Sequence, residues 1–317
     1  MTLSPYADAR TIATAHARVD VSPQLGAAIL RYDICRPQGL TPAFRPTGET
    51  VRDVFDCAMN ILTPWANRVS GGGFGFDGRF HALPSNWPGE KCPLHGDGFQ
   101  AQWQVSAQGV DHISLVMESD GPGPFRYKAE LAYKLEDAAL VSDLRITNTA
   151  ECRLPYGGGF HPWFPRHEDT SVQARAGSVW LEDAGHLPGA HLPLSRRPDL
   201  DFARARSLPD HWINNCFEGW DGAAQIIWPR LDFALDIEAD PPLSFFHIYA
   251  PGGGTEFFCF EPVSHVVDAH NLASPQAHGG LQVLAPGENM NLRCRFSPGR
   301  PFWRDVGVNK LGTDERG

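Results

Sequence analysis

Short runs of alternating apolar and polar residues, separated by turn-forming clusters, recur along most of this 317-residue chain. "HISLVMES" (112–119), "RYKAELAYKLED" (126–137) and "ALVSDLRITNT" (139–149) alternate in this way. Every second side chain of a strand faces the same side, so such runs bury one face and wet the other. "AQIIWP", "LDFALDIEA", "LSFFHIYAP", "TEFFCFEPV" and "NLRCRFSP" continue the series. Asp120-Gly121-Pro122-Gly123-Pro124, Glu136-Asp137 and Ala285-Pro286-Gly287-Glu288 punctuate it as turns. Helical periodicity is confined to residues 51–62, "VRDVFDCAMNIL", room for a few turns before Pro64 stops them. No linker, fixed-period repeat or low-complexity tract interrupts the chain. The pattern predicts an all-β fold, a large sandwich of antiparallel strands in a single domain over residues 1–317.

Composition removes several function classes. A net charge of −10 disfavours a surface that tracks nucleic-acid phosphates. No run of about 18 apolar residues exists to span a membrane, and the N-terminal "MTLSPYADARTIATAHARVD" lacks the basic and apolar regions of a secretory leader. The seven cysteines are odd in number, widely spaced and without C-x-x-C, which suggests neither a disulfide framework nor a zinc site. Reduced cysteines and the missing leader lead us to expect a cytoplasmic protein.

Gly73, Gly75 and Gly78 spell G-x-G-x-x-G, the pattern of a dinucleotide-binding turn. That fingerprint works only where a strand feeds a helix, because the pyrophosphate rests on the helix N-terminus. Here "RFHALPSNWPG" follows, with two prolines and no helical face. The stretch reads instead as two short strands joined at Asp77-Gly78. G-K-[ST] and G-x-S-x-G are absent, so neither a P-loop nor a nucleophile elbow is present.

Four segments carry polar residues that core packing does not need: "PWANRVSGG" with Arg68, "KCPLHGDGFQAQW" with His95, "RLPYGGGFHPWFPR" with His161, and "FFCFEPVSHVVDAHN" with Glu261. Each has a plainer reading, as solvated charge, turn histidine or strand end. Glu261 fits that reading least well. It ends a run that should cross a core, where desolvation raises a carboxyl pKa toward that of a general base. His161 is next, because imidazole titrates near neutrality. Metal ligation ranks low: His161 and His167 are six apart, His265 and His270 five apart, and no H-E-x-x-H occurs.

Taken in order, these segments resemble the aldose 1-epimerase (galactose mutarotase) family. The resemblance rests on Asn67-Arg68, Asn86 after a Gly-rich hairpin, and His95-Gly96 with Trp103. It continues with Gly159-Phe160-His161-Pro162-Trp163-Phe164, Glu261-Pro262, Asp268-Ala269-His270-Asn271 and the turn from Leu284 to Glu288. It covers roughly residues 20–296. It implies a β-supersandwich, a free sugar as partner, no cofactor, and interconversion of the α and β anomers of an aldose. It also implies Glu261 as general base at the C1 hydroxyl and His161 as general acid at the ring oxygen. Arg68, His95 and Asn67 would hold the sugar, and Trp163 would wall the pocket. The oligomeric state is left open.

One departure bears on the substrate. Many members of that family carry an Asp before "N-C-F-x-G-W-D-G", whereas this chain has Asn214 there, in "INNCFEGWDG"; Asp210, four residues earlier, could fill the role if the loop is shifted, but the Cys-Phe-x-Gly-Trp match favours Asn214. The missing charge leads us to expect a modified or acidic hexose, helped by Arg68 or Arg166. Two alternatives stand beside this reading. One is a non-catalytic sugar-binding protein. The other is a glycoside hydrolase or lyase with a second carboxylate from Asp97, Asp221 or Asp268.

Overall fold

The computed structural model describes residues 4–252, 254–272 and 279–299. The alternating runs become strands in two large antiparallel sheets, one of eleven strands and one of nine. His112–Ser119, Tyr127–Glu136 and Ala139–Asn148 pair in sequence within the smaller sheet, and Asn289–Gly299 lies beside Ala139–Asn148. The middle of the larger sheet is built from distant parts of the chain. Met59–Leu62, Gly159–Pro165, Phe257–Val263, Phe245–Ala250, Ile213–Glu218 and Ser178–Asp183 lie side by side in that order.

The two-residue period divides these strands cleanly. Phe160, Phe164, Phe258, Phe260, Phe246, Ile248 and Phe217 point into a continuous core that also takes Trp228, Leu292 and Phe296 from the smaller sheet. Rings interlock across the layers: Phe44 meets Phe296 edge-on at 5.0 Å, and Phe164 meets Trp228 at 6.4 Å. Each fully buried ring of this kind contributes about 1.5–3 kcal/mol. The alternate side chains of the same strands, among them His161, Glu261 and His247, face the opposite side. The core therefore holds the strands in register, and the register decides what meets on the outer face.

Gly73–Phe76 and Arg79–Ala82 form the expected hairpin, with Asp77 (φ 49°) and Gly78 (φ 73°) at its tip. Positive φ at both central residues is the geometry that Asp-Gly favours. These glycines shape a turn, and no helix follows them. Residues 51–62 depart from the helical expectation. Only Val54–Asp56 makes a single 3₁₀ turn, capped by the Asp53 carboxylate on the Phe55 N–H, and Met59–Leu62 is a strand. All four residues of that strand are buried, and pairing with Gly159–Pro165 satisfies a backbone that a short helix there would leave unpacked. All seven cysteines are free thiols. Among the described residues, no helix is long and apolar enough to cross a membrane.

Phe164 is fully buried and touches Phe44, Phe258 and Trp228. We expect Phe164→Ala to cost about 3–5 kcal/mol, measured by urea unfolding. A loss below about 1 kcal/mol would show that the two sheets do not depend on this contact.

Candidate active site

Five adjacent strands of the larger sheet each place one polar side chain on its outer face. His161, Glu261, His247, Asn214 and Glu182 follow one another from Gly159–Pro165 to Ser178–Asp183. His247 stands directly opposite Glu261 in the strand register. His161 Nε2 lies 3.4 Å from Glu261 Oε1. Glu261 is 2% exposed and His161 6%, although both line a cavity of about 290 Å³. The catalytic and sugar-binding residues that the resemblance implies, Asn67, Arg68, His95, His161, Trp163 and Glu261, line this one cavity together with Asn214.

Two loops form the cavity's other wall, and each needs an unusual backbone. Asn67 (φ 60°) and His95 (φ 57°) both sit in the left-handed region, which short polar side chains tolerate better than most. The Asn67 N–H donates to His95 Nδ1 at 2.9 Å, and the His95 N–H donates back to the Asn67 carbonyl at 2.9 Å. Gly96 lies so close to Thr63 that a Cβ would stand 2.0 Å from its carbonyl oxygen. Asn86 braces the loop from behind, bonding both backbone groups of Leu94. His265 holds the first loop in place, its Nε2 accepting the Ala66 N–H at 2.9 Å.

These bonds fix a tautomer. Because a backbone N–H donates to His95 Nδ1, that nitrogen is unprotonated and the proton sits on Nε2. His95 is thus a neutral donor, and its burial holds it well below the usual imidazole range. The Arg68 guanidinium is clamped by Glu90 through two bonds of 2.9 and 2.7 Å. That bond, opposed by partial burial, holds the Glu90 carboxyl below its ordinary value. Trp163 stacks on the His161 ring at 5.0 Å, and its indole N–H donates to Asn60 Oδ1 at 3.2 Å. The Arg45 guanidinium lies over the Trp163 ring at 4.3 Å.

Burial pushes the central pair toward neutral forms. The Glu261 carboxyl is raised well above its usual range by desolvation, with Arg68 pulling the other way. His161 is lowered to about 3, again chiefly by burial. One proton therefore belongs to the pair and rests on the carboxyl. His161, Glu261 and the buried Cys259 thiol also bring ligand atoms within 4.8 Å of one another. Burial keeps that thiol protonated, and Cys259 does not line the cavity. The trio fits a metal centre poorly.

Several lining residues escaped the sequence reading. Glu90 is an unremarkable charge in "PGEK", and Phe55, Trp87, His186, Trp212 and Tyr249 come from five separate turns, loops or strands. Glu182 stands behind Asn214 and accepts its Nδ2–H. Asn214 lines the cavity, while the Asp210 side chain is 94% exposed and faces Arg166. Arg166 lies outside the cavity, bonded to the Pro209 and Gly252 carbonyls. None of the three carboxylates suggested for a hydrolase lines it either. Asp97 bonds Ser119 and Tyr127, Asp268 bonds Ser70, and Asp221 belongs to a separate groove.

The family profile for aldose 1-epimerase matches residues 9–297. The Escherichia coli K12 protein YphB, described as uncharacterized, is 36% identical over 81% of this chain and 90% of its own length. The crystal structure of an E. coli K12 protein named "Putative aldose 1-epimerase" superposes with a TM-score of 0.84 at 32% identity, covering 95% of this chain and 100% of that one. A galactose mutarotase-like protein from Clostridium acetobutylicum shares the fold, with a TM-score of 0.78 at 16% identity over 92% and 95% of the two chains.

Buried neutral histidines also set how stability responds to acid. His270, packed among Trp65, Phe74 and Phe125, is lowered to about 3 by burial and then by His265. The unfolded chain protonates this imidazole near pH 6.5 and the folded chain does not, so stability falls as pH drops from about 7. Replacing His270 with Phe should reduce the slope of unfolding free energy between about pH 6 and pH 5 by about 1.4 kcal/mol per pH unit. An unchanged slope in urea titrations would contradict a neutral buried His270.

Proposed function

Because the chain belongs to the aldose 1-epimerase family, we propose that it interconverts the α and β anomers of a free aldose, with Glu261 and His161 as the acid–base pair. The carrying observation is the 3.4 Å approach of these two buried groups in the cavity wall. Ring opening needs one proton removed from the C1 hydroxyl and one delivered to the ring oxygen. Glu261 takes the first and His161 gives the second. The proton that rests on the carboxyl must first pass to the imidazole; the pair then reacts as carboxylate and imidazolium and ends as carboxyl and neutral imidazole. The latter is the distribution burial favours, so the pocket stabilises the proton arrangement that accompanies the open-chain aldehyde. Rotation about C1–C2 and the reverse transfers then close the ring on its other face. Protons gained and lost balance, and the cycle uses only groups of this chain.

Arg68 and His95 Nε2–H supply donors for hydroxyls or the ring oxygen, and Asn67 holds both loops to that task. Trp163 fixes the His161 ring by stacking. The charges favour a neutral sugar over the acidic hexose expected from Asn214 alone. Arg68 is already matched by Glu90, and Glu182 supplies a carboxylate beside the position where the charge was missing. The presence of both members of the pair favours catalysis over sugar binding alone. We further propose that the whole chain acts as one domain around this cavity.

Glu261→Gln and His161→Asn should each lower protein-dependent mutarotation by about 10²-fold or more, since each removes a positioned acid or base. Polarimetry on a freshly dissolved α-aldose, at matched folded protein, tests this. Near-wild-type rates in either variant would remove that residue from the reaction.

Burial lowers the His161 imidazole to about 3 and raises the Glu261 carboxyl, so neither group titrates as its solvated counterpart does. We therefore expect kcat/KM for a neutral aldose, corrected for the uncatalysed rate, to show no imidazole inflection near pH 6.5. An inflection near pH 6.5 would mean that a solvated imidazole carries the step.

A further inference from the structure

We propose that Glu182 is a positioning residue that locks the Asn214 amide with an N–H toward the sugar, so that the site reads an acceptor on the aldose there. This rests on the reading of the cavity as an aldose site. Asn214 Oδ1 accepts from His247 Nε2 at 2.7 Å, and Asn214 Nδ2 donates to Glu182 Oε1. Turning the amide over would set its carbonyl oxygen against the carboxylate, two acceptors with no proton between them. It would also require His247 to exchange its tautomer. A carboxylate at 182 therefore decides which way the amide points.

Glu182 is itself held in place. Trp212 Nε1 and His186 Nδ1 also donate to its carboxylate. Asn214, Trp212 and His186 all line the cavity, whereas Glu182 stands behind them and acts through them. The Ser178–Asp183 strand shifts register between Trp180 and Glu182, and the Glu182 N–H donates to Asn215 Oδ1 at 2.8 Å. Such a bulge re-aims a side chain, here onto the Asn214 amide. With those bonds made, Asn214 has one N–H left, and its oxygen already accepts a hydrogen bond from His247. What it offers a sugar is a donor.

The test uses D-galactose as parent aldose, with its monodeoxy and monodeoxyfluoro analogues at each non-reacting carbon. Every rate is divided by the uncatalysed rate of the same compound. Fluorine keeps an acceptor and removes the donor; deoxygenation removes both. In the wild-type protein, one carbon should tolerate fluorine within about 3-fold in kcat/KM while its deoxy analogue falls about 10-fold. Asn214→Asp alone sets two carboxylates face to face and should lower kcat/KM for the parent aldose about 10-fold or more. Adding Glu182→Gln restores one amide and one carboxylate with every hydrogen bond available, so the double variant should recover most of that loss. It should now lose the fluoro analogue as fully as the deoxy one.

Equal losses for fluoro and deoxy analogues at every carbon of the wild type would overturn the proposal. So would an undamaged Asn214→Asp variant, or a double variant that ranks the analogues as the wild type does. If the wild type exchanges no aldose at all, the proposed function fails. The same ranking, read then as binding affinity by calorimetry, still decides this proposal.

Discussion

A row of polar side chains crossing the face of an otherwise apolar sheet is the constraint on which this molecule turns. Unpartnered groups buried there would cost several kcal/mol each. Neighbours on adjacent strands offset part of that cost: His161 Nε2 approaches Glu261, His247 bonds Asn214, and Asn214 bonds Glu182, while Nδ1 of both histidines is buried with no hydrogen-bond partner. Those pairings exist only in one strand register, and the phenylalanine layer beneath fixes that register. Core and site are thus alternate positions of the same strands. A one-residue slip would send the aromatic rings outward and the acid–base pair inward.

Low dielectric gives the row its chemical character. Histidine that would be half-charged in water is held neutral here, and a carboxyl is held protonated. The loops exploit the same environment differently. Backbone N–H groups cap one nitrogen of His95 and of His265, so each ring has a set tautomer and a set job. His265 supports the chain path, and His95 presents its remaining N–H. A charge-paired Arg68 adds directionality without a large net field. Such a cavity suits the polar, uncharged ligand proposed for it.

Much of this was legible in the sequence, for a physical reason. Alternation reports a strand directly, and Asp77-Gly78 reports its turn, so the fold followed from short-range pattern. Glu261 and His161 were legible because each sits polar within a buried aromatic run. The resemblance brought Arg68, His95, Asn67, Asn214 and Trp163 to the same cavity. What the sequence hid depends on which strands become neighbours. Glu182 in "SVWLED" looks like an ordinary strand end until the Ser178–Asp183 and Ile213–Glu218 strands pair. Only then does its carboxylate reach Asn214 and replace the charge whose absence suggested an acidic sugar. Residues 51–62 misled for the same reason. Their spacing suits a short helix, but the long-range partner, Gly159–Pro165, makes Met59–Leu62 a strand.

The most direct test of the account is anomer exchange on an equilibrated neutral aldohexose, followed by magnetisation transfer between the α and β H1 signals with wild-type protein added. A pocket that passes one proton between Glu261, the sugar and His161 should accelerate that transfer in proportion to protein concentration. Transfer that stays at the buffer rate while the same spectra show the sugar saturating the site would contradict it, leaving a protein that binds aldoses without turning them over.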